Sequence, residues 1–252
     1  MTRAHPYTTV LFDLDHTLLD SDASESLAFE SALSGVGIAR PRDHFHDYDR
    51  INRALWAAVE RGEVLPGRVR TLRFEQLLAV TGHDADPVAL ADAFATGLGQ
   101  HGELYPGAFE MLDALAQHAR LALVTNGLSD VQRARVERLG IARHFDAVII
   151  SAEVGVAKPS TAIFDIAFER LGSPARADAL MVGDSLSSDI QGGLNYGIGT
   201  CWYNPRQRAP DAGSRFDHEI ASLDHLIDVV LGRGGARVGP TQAHADPHHR
   251  HE

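Results

Sequence analysis

The 252-residue chain has one cysteine, few aromatic residues and no long apolar run, and these shortages exclude several classes of protein. The single cysteine, Cys201, excludes an internal disulfide framework and favours a reducing compartment. Because it lies in the apolar stretch 199–203, we expect it to be buried and unreactive. No segment approaches the roughly 20 apolar residues of a membrane span, and no secretory signal is visible. These absences predict a cytoplasmic protein.

The formal net charge of −11 argues against two further kinds of partner. An acidic surface repels the phosphate backbone of nucleic acids and anionic membranes, so we expect the chain to bind neither. A local site that contains a metal ion and a lysine can still bind a small anion. At roughly 150 residues per domain, the length predicts one or two domains with a substantial core.

Short apolar segments alternate with amphipathic helical patterns through much of the chain. The segment 7–13 predicts a first strand, and segments 121–124, 147–151, 180–182 and 200–203 predict four more. Strands that alternate with helices indicate an α/β fold with a doubly wound parallel sheet. Apolar runs without polar alternation indicate strands that are covered on both faces. Ligands of such sheets bind at the carboxyl ends of the strands.

Residues 21–100 have a different residue pattern, in which helical periodicity dominates. This pattern predicts four helices and no convincing strand. Asp86 is expected to cap the fourth helix, with Pro87 at its first position. We therefore predict a core made of residues 1–20 and 101–235, with a helical insertion at 21–100. A tail at 236–252 lacks apolar content and is predicted to be disordered. Its histidines are not expected to form a functional metal site, because no fold holds them together.

Polar residues stand at the ends of the predicted strands or in the loops that follow. The set comprises Asp13 and Asp15 after the first strand, Thr125 and Asn126 after the second, Lys158 after the third, and Asp184 and Asp189 after the fourth. Like charges are costly to bring together unless a cation lies between them. A metal site with carboxylate ligands and neither cysteine nor several histidines nearby favours Mg²⁺. The predicted cofactor is therefore Mg²⁺.

The same set provides groups that can bind a phosphate and react with it. Lys158, the Thr125 hydroxyl and backbone amides around Asn126 and Gly127 can hold phosphate oxygens. A metal, an acceptor carboxylate and a lysine together predict phosphoryl transfer to an aspartate, with a second aspartate as acid and base. Each feature alone is more often a turn or a helix start. Their occurrence together, in this order, favours the functional interpretation.

These motifs resemble those of the haloacid-dehalogenase-like superfamily over residues 7–230. The resemblance rests on Asp13-Leu-Asp-His-Thr-Leu18, Thr125-Asn-Gly127, Lys158-Pro159 and Gly183-Asp-Ser-Leu-Ser-Ser-Asp189. It implies a Rossmann-like core in which the helical insertion 21–100 is a cap that closes over the substrate.

The family resemblance also implies a role for each matched aspartate. Asp13 would be the nucleophile and Asp15 the acid and base. The metal would be held by Asp13, the backbone carbonyl of Asp15, and Asp184, with Asp189 beside it or in contact with a metal-bound water. An aspartate at position 15 implies phosphate esters, because the dehalogenating branch lacks it. His16 departs from the pattern, since many members carry glycine there; it either narrows the entrance or simply faces the cap.

Further segments resemble the pyrimidine 5′-nucleotidase branch, whose members dephosphorylate UMP, dUMP and dTMP. The segments are Asn52-Arg-Ala-Leu-Trp56, Arg73-Phe-Glu75, Glu153-Val-Gly-Val-Ala-Lys-Pro159, Asp189-Ile-Gln-Gly-Gly193 and Thr200-Cys-Trp-Tyr-Asn204. The expected substrate is a small phosphate ester, a nucleoside monophosphate. Trp56 and Phe74 could stack on a base or simply belong to a core. Arg73 could contact the phosphate or the base, or form a surface salt bridge.

Two other functions remain open at this point. A related phosphatase could act on phosphoglycolate or a sugar phosphate. A receiver-type signalling domain also phosphorylates an aspartate on a doubly wound sheet, but it has no helical cap and its acceptor is not in a first-strand Asp-x-Asp. The chain is expected to be a monomer or a homodimer.

Overall fold

A seven-stranded sheet forms the centre of the fold in the computed structural model, which describes residues 6–233 and the backbone of residues 237 and 238. The strands in these residues are β1 (Thr9–Phe12), β2 (Leu19–Asp20), β3 (Glu103–Leu104), β4 (Arg120–Thr125), β5 (Ala147–Ile150), β6 (Ala179–Gly183), β7 (Gly199–Tyr203), β8 (His218–Ile220) and β9 (Arg237–Val238). The sheet has the order β5-β4-β1-β6-β7-β8-β9. All pairs are parallel except β8 with β9.

Ten α-helices accompany these strands in the described residues. They are α1 (Asp22–Gly35), α2 (Phe45–Glu60), α3 (Val69–Thr81), α4 (Pro87–Gln100), α5 (Ala108–Leu115), α6 (Ser129–Arg138), α7 (Ser151–Val154), α8 (Thr161–Arg170), α9 (Gln191–Tyr196) and α10 (Asp224–Val230). None of the described helices combines the length and apolar composition that crossing a membrane requires.

The sheet is covered on both faces, as its apolar strands predict. In β1, Val10 and Phe12 pack with residues of α5 and α10, whereas Leu11 packs on the other side with residues of α8 and α9. Side chains of successive strand residues point to opposite faces, so a strand without polar alternation needs two apolar layers. The predicted α/β fold with a doubly wound parallel sheet is confirmed.

Strand β1 lies between β4 and β6, and this order brings the motif residues together. Phe12 is in register with Leu123 of β4 on one side and with Val182 of β6 on the other. Because the three strands are parallel, the residues that follow them emerge at one edge of the sheet.

Helices α1 to α4 form a separate bundle between two short strands. Strands β2 and β3 pair antiparallel at the points where the chain leaves and rejoins the core, close to the predicted boundaries at residues 20 and 101. Phe29, Tyr48, Phe74 and Phe94 are fully buried at the centre of the bundle. Asp86 accepts a hydrogen bond of 2.9 Å from the Val88 amide, as expected of the predicted cap before Pro87. We call residues 21–100 the cap.

Two glycines let α4 approach its neighbours closely. A Cβ atom at Gly97 would lie 2.8 Å from the Cβ of Ala28 in α1, and one at Gly99 would lie 3.0 Å from the Cβ of Ala134 in α6. Leu128 and Val131, at the start of α6, also join the apolar cluster of the cap. The cap therefore rests on the core chiefly through α4 and α6.

The structure differs from the sequence expectations in a few elements. The predicted helix over 188–196 begins with a π-helical turn, Leu186–Ile190, before α9. Strand β8, next to the edge strand β9, and helix α10 lie in a segment with no predicted element. Cys201 is free and buried, as expected. Apart from the strand Arg237–Val238, the predicted tail lies outside the described residues.

Candidate active site

Four of the predicted residues meet at the carboxyl edge of the sheet. Asp13 follows β1, Asp184 follows β6, and Asp189 lies in the π-helical turn beyond it. Lys158 enters from the loop that precedes α8. Its side chain is fully buried, and Nζ lies 2.6 Å from Asp13 Oδ1, 2.7 Å from Asp189 Oδ1 and 2.6 Å from the carbonyl oxygen of Val124. One ammonium group thus joins two of the aspartates to the end of β4.

The carboxylates of Asp13, Asp184 and Asp189 form a compact cluster. One oxygen from each lies within 4.8 Å of the others. The buried Lys158 contacts two of these three carboxylates, and the exposed guanidinium of Arg208 approaches the third, Asp184, only to 3.8 Å. Negative charge therefore exceeds positive charge here. A site of hard oxygen ligands with excess negative charge suits Mg²⁺, so the residues present fit the predicted cofactor.

The pKa values of the cluster reflect burial first and the proximity of like charges second. Burial raises the pKa of Asp13 to about 8; Lys158 opposes this rise, and the neighbouring carboxylates add to it. Burial and the charge of Asp189 raise the pKa of Asp184 to about 7. Burial acts to lower the pKa of Lys158, but the charges of Asp13 and Asp189 outweigh it and raise that pKa. A divalent cation would favour the ionised carboxylates.

Thr17 and Asn126 hold the cluster in place through contacts that the sequence does not predict. The Thr17 hydroxyl donates a 3.4 Å hydrogen bond to Asp13 Oδ2 and accepts a 3.1 Å bond from the amide of Asp184. Asn126, near which backbone amides are predicted to bind phosphate, contacts the backbone of Lys158 with its side-chain amide. Its Oδ1 accepts from the Lys158 amide at 2.9 Å, and its Nδ2 donates to the Lys158 carbonyl at 3.0 Å.

Asp15 lies near the cluster, but its carboxylate is engaged elsewhere. Oδ1 accepts hydrogen bonds from Ser21 Oγ and, at 2.6 Å, from Arg135 Nη1, while Oδ2 accepts from Gln132 Nε2 at 2.7 Å. Burial acts to raise the pKa of Asp15, but the charge of Arg135 and the Ser21 hydrogen bond lower it below its ordinary value. The predicted metal ligand at Asp15 is its backbone carbonyl oxygen. The side-chain hydrogen bonds of Asp15 do not involve this atom.

Thr125 and Gly127, both predicted to bind phosphate, each have a hydrogen-bond partner within the protein. Thr125 is fully buried, and its hydroxyl accepts a 2.8 Å hydrogen bond from Gln132. The Gly127 amide donates to Ser151 Oγ at 3.0 Å. A Cβ atom at Gly127 would lie 2.7 Å from Gln132 Nε2, so the glycine makes room for the side chain that contacts both Thr125 and Asp15.

Comparison with known proteins agrees with this geometry. A family model described as a haloacid dehalogenase-like hydrolase matches residues 7–197. The chain belongs to the haloacid dehalogenase-like hydrolase family. The family predicted from the motifs is therefore confirmed, as is the prediction that the chain is an enzyme of the hydrolase class.

Several haloacid dehalogenase-like relatives match most of the chain. Pyrimidine 5′-nucleotidase YjjG of Escherichia coli is 35% identical over 221 residues, which cover 88% of this chain and 96% of the relative. Pyrimidine 5′-nucleotidase PynA of Streptococcus pneumoniae is 34% identical, and the match covers 89% of this chain and 95% of the relative. The crystal structure of the putative hydrolase YfnB of Bacillus subtilis, bound to magnesium, is 34% identical with a TM-score of 0.81; the match covers 89% of this chain and 99% of that one.

In this haloacid dehalogenase-like fold, a cavity of about 680 Å³ separates the acidic cluster from the cap. All three predicted specificity residues line it: His16, Trp56 and Arg73. His16 has a φ of +60°, in the left-handed region that glycine adopts without strain but other residues rarely adopt. Phe74 is fully buried in the cap core, so the core interpretation is correct.

Arg73 forms no surface salt bridge in the described residues. It is only 3% exposed, and its Cζ lies 4.9 Å from the centre of the Phe94 ring. Sequence reasoning missed Thr17, Gln132 and Arg135 as contributors to this site. The last two lie on α6, where a polar helical pattern is equally typical of a solvent-facing surface.

Proposed function

We propose that the protein is a cytoplasmic, Mg²⁺-dependent phosphatase that hydrolyses pyrimidine nucleoside 5′-monophosphates through an aspartyl phosphate on Asp13. The observation that carries the proposal is the buried contact of Lys158 with both Asp13 and Asp189 at the base of a cavity closed by the cap. The relatives YjjG and PynA, which are named pyrimidine 5′-nucleotidases, support the choice of substrate.

In the first step, a carboxylate oxygen of Asp13 attacks phosphorus, and the bond from phosphorus to the ester oxygen breaks. Asp15 gives its proton to the departing nucleoside oxygen. Lys158 holds Asp13 in position and offsets negative charge on the transferred group. Since Arg135 keeps Asp15 ionised in this structure, proton donation requires Asp15 to acquire a proton when substrate binds.

In the second step, Asp15 accepts a proton from water, whose oxygen attacks the phosphorus of the aspartyl phosphate. The acyl phosphate bond breaks, which releases inorganic phosphate and restores Asp13. Asp13, Asp184 and the backbone carbonyl of Asp15 would hold Mg²⁺, with Asp189 beside it. Bound Mg²⁺ supplies charge neutralisation for the phosphoryl group.

The test is hydrolysis of a panel of monophosphates with Mg²⁺ by the wild type and by Asp13→Asn. We expect UMP, dUMP and dTMP to be preferred over phosphoglycolate and sugar phosphates. Asp13→Asn should fold normally and show no turnover, because an amide does not attack phosphorus. EDTA should stop the wild type and Mg²⁺ restore it. Equal rates on sugar phosphates and UMP would favour the sugar phosphatase alternative. An active Asp13→Asn enzyme would contradict the assignment of Asp13 as the nucleophile.

A further inference from the structure

A polar cluster lies inside the cap and faces the cavity. Glu25 Oε1 accepts hydrogen bonds from the Tyr48 hydroxyl at 2.7 Å and from Asn52 Nδ2 at 2.8 Å. Arg73 Nη1 donates to Asn52 Oδ1 at 3.2 Å and to the Tyr48 hydroxyl at 3.4 Å. Helices α1, α2 and α3 therefore fix these four side chains relative to one another. Glu25, Asn52 and Arg73 line the same cavity as Asp13.

Two polar atoms of this cluster have no hydrogen-bond partner in the part of the chain that the structure describes. Within the described residues, neither Oε2 of Glu25 nor Nη2 of Arg73 forms a hydrogen bond. In the same part of the chain, every buried side-chain nitrogen or oxygen has a hydrogen-bond partner. Oε2 and Nη2 are therefore not fully buried, and both residues line the cavity. An acceptor and a donor are available there on side chains that are otherwise held in place.

The charge of the pair limits what can bind to it. A second phosphate or a carboxylate would meet the guanidinium of Arg73, but it would also meet the carboxylate of Glu25 at short range. An uncharged group that offers both a hydrogen-bond donor and an acceptor satisfies both side chains. The partly buried Trp56 also lines this cavity and offers a flat apolar surface. These features suit a nucleobase better than a second anionic group.

We propose that Glu25 and Arg73 recognise the base of a uracil or thymine nucleotide. Arg73 Nη2 donates to a ring carbonyl oxygen, and Glu25 Oε2 accepts a hydrogen bond from the neighbouring N3–H. This inference rests on the proposed function, because it assigns to that reaction the residues that read the base.

A modified substrate tests the hydrogen bond from N3 directly. In 3-methyluridine 5′-monophosphate, a methyl group replaces the proton that Glu25 would accept. Loss of a hydrogen bond to a charged group should lower kcat/KM for the methylated substrate about tenfold to 100-fold relative to UMP. Ribose 5-phosphate, which has no base, serves as the reference for the chemical step.

Glu25→Gln is the matched variant, because it keeps the shape of the side chain and replaces the charged acceptor. We expect kcat/KM for UMP to fall about tenfold to 100-fold relative to that for ribose 5-phosphate. The variant should no longer distinguish UMP from the 3-methyl substrate, because the two changes remove the same interaction. Glu30→Gln on the same helix is the control. Glu30 bonds to Arg42 and does not line the cavity, so UMP turnover should be unchanged.

The outcomes separate this inference from the proposed function. If the wild type hydrolyses UMP and 3-methyluridine 5′-monophosphate equally well, or if Glu25→Gln keeps the wild-type ratio of UMP to ribose 5-phosphate, the base-recognition proposal is wrong and the nucleotidase proposal stands. If the wild type does not hydrolyse UMP, both are wrong. Loss of discrimination in folded Glu25→Gln, with Glu30→Gln unaffected, supports the assignment.

Discussion

Arg135 Nη1 lies 2.6 Å from Asp15 Oδ1, and the rest of the Arg135 guanidinium is bonded to the cap. Its Nη2 donates to Ser24 Oγ at 3.1 Å, and its Nε donates to the carbonyl oxygen of Leu98 at 3.0 Å. Ser24 lies in the first cap helix and Leu98 in the last. One buried guanidinium therefore joins the proposed acid and base to both ends of the cap, and it holds the pKa of Asp15 low.

Replacement of Arg135 by methionine should destabilise the protein strongly. The variant keeps an apolar stem but leaves Asp15 without its cation and the Leu98 carbonyl without its donor. Removal of one partner from a buried ion pair costs about 3–5 kcal/mol, and the 27% exposure of the Asp15 side chain places the expected loss near the lower end. Urea denaturation monitored by circular dichroism would measure the change in the free energy of unfolding.

Arg133→Met is the matched control for this variant. Arg133 lies on the same helix and pairs with Glu153 at 2.8 Å, but its side chain is 53% exposed. Exposed pairs contribute about 1 kcal/mol or less. Equal losses in the two variants would show that the contact of Arg135 with Asp15 and the cap is energetically no different from a surface ion pair.

Lys158→Met should abolish most activity and destabilise the metal-free protein. The substitution leaves Asp13 and Asp189 facing each other in a buried site without the ammonium that separates their charges. Loss of one charge-stabilising donor typically lowers kcat by about 100- to 1,000-fold, and loss of a buried cation costs about 3–5 kcal/mol.

Thermal denaturation of Lys158→Met with and without Mg²⁺, together with UMP hydrolysis, would test both expectations. Mg²⁺ should restore part of the stability, because it supplies positive charge to the same carboxylates, but it should not restore turnover. A variant with wild-type kcat/KM would exclude Lys158 from the reaction.

Residues at strand ends could be predicted from the sequence because their positions follow from local pattern. Asp13 and Asp184 each end a short apolar run, and parallel strands place such residues at one edge. The contacts of Thr17 with the two aspartates could not be predicted, since they depend on how two loops approach each other. Strand β8, with only three residues, two of them polar, has too little apolar alternation to be recognised.

The role of α6 shows a second limit of sequence reasoning. Gln132 and Arg135 are buried, although their residue types are usually found on a surface. Their burial depends on the close approach of α4, which Gly99 permits, and on the space that Gly127 leaves for Gln132. Both are contacts between distant segments. Nothing local shows that the Thr125 hydroxyl, which stays a predicted phosphate contact, also accepts a hydrogen bond from Gln132.

The stability of the metal-free protein should decrease as the pH rises from about 4 to about 8. The pKa values of Asp13 and Asp184 in the folded protein are about 8 and about 7, above the ordinary value of 3.8. The folded state therefore holds these protons more tightly than the unfolded state. Their contribution is fully present below about pH 3.8 and is lost as the pH rises through 7 and 8.

Urea denaturation in EDTA across this pH range would measure the effect. Asp13→Asn should show a weaker decrease, because an amide at position 13 does not titrate. Mg²⁺ should also weaken the decrease, because it binds the ionised carboxylates of the folded state. Stability that rises over this interval, or a slope that Asp13→Asn leaves unchanged, would contradict the assignment of raised pKa values to the cluster.

Gly183→Ala should disturb the acidic cluster without changing a charge. A Cβ atom at this position would lie 2.2 Å from Asp189 Oδ2, far inside the contact distance of two atoms. Asp189 is only 1% exposed and is bonded to Lys158 and to the Ser185 amide, so it has little room to move. Overpacking of this kind costs about 1–3 kcal/mol, and we expect weaker Mg²⁺ activation of UMP hydrolysis together with lower stability.

Gly35→Ala provides the control for the added methyl group. Gly35 is the last residue of α1, and a Cβ atom there would have no neighbour within 4 Å. Alanine in a helix is favoured over glycine by up to about 1 kcal/mol, so this variant should be at least as stable as the wild type and equally active. If Gly183→Ala behaves in the same way, Asp189 is not fixed by its contacts, and Lys158 does not depend on it for its position.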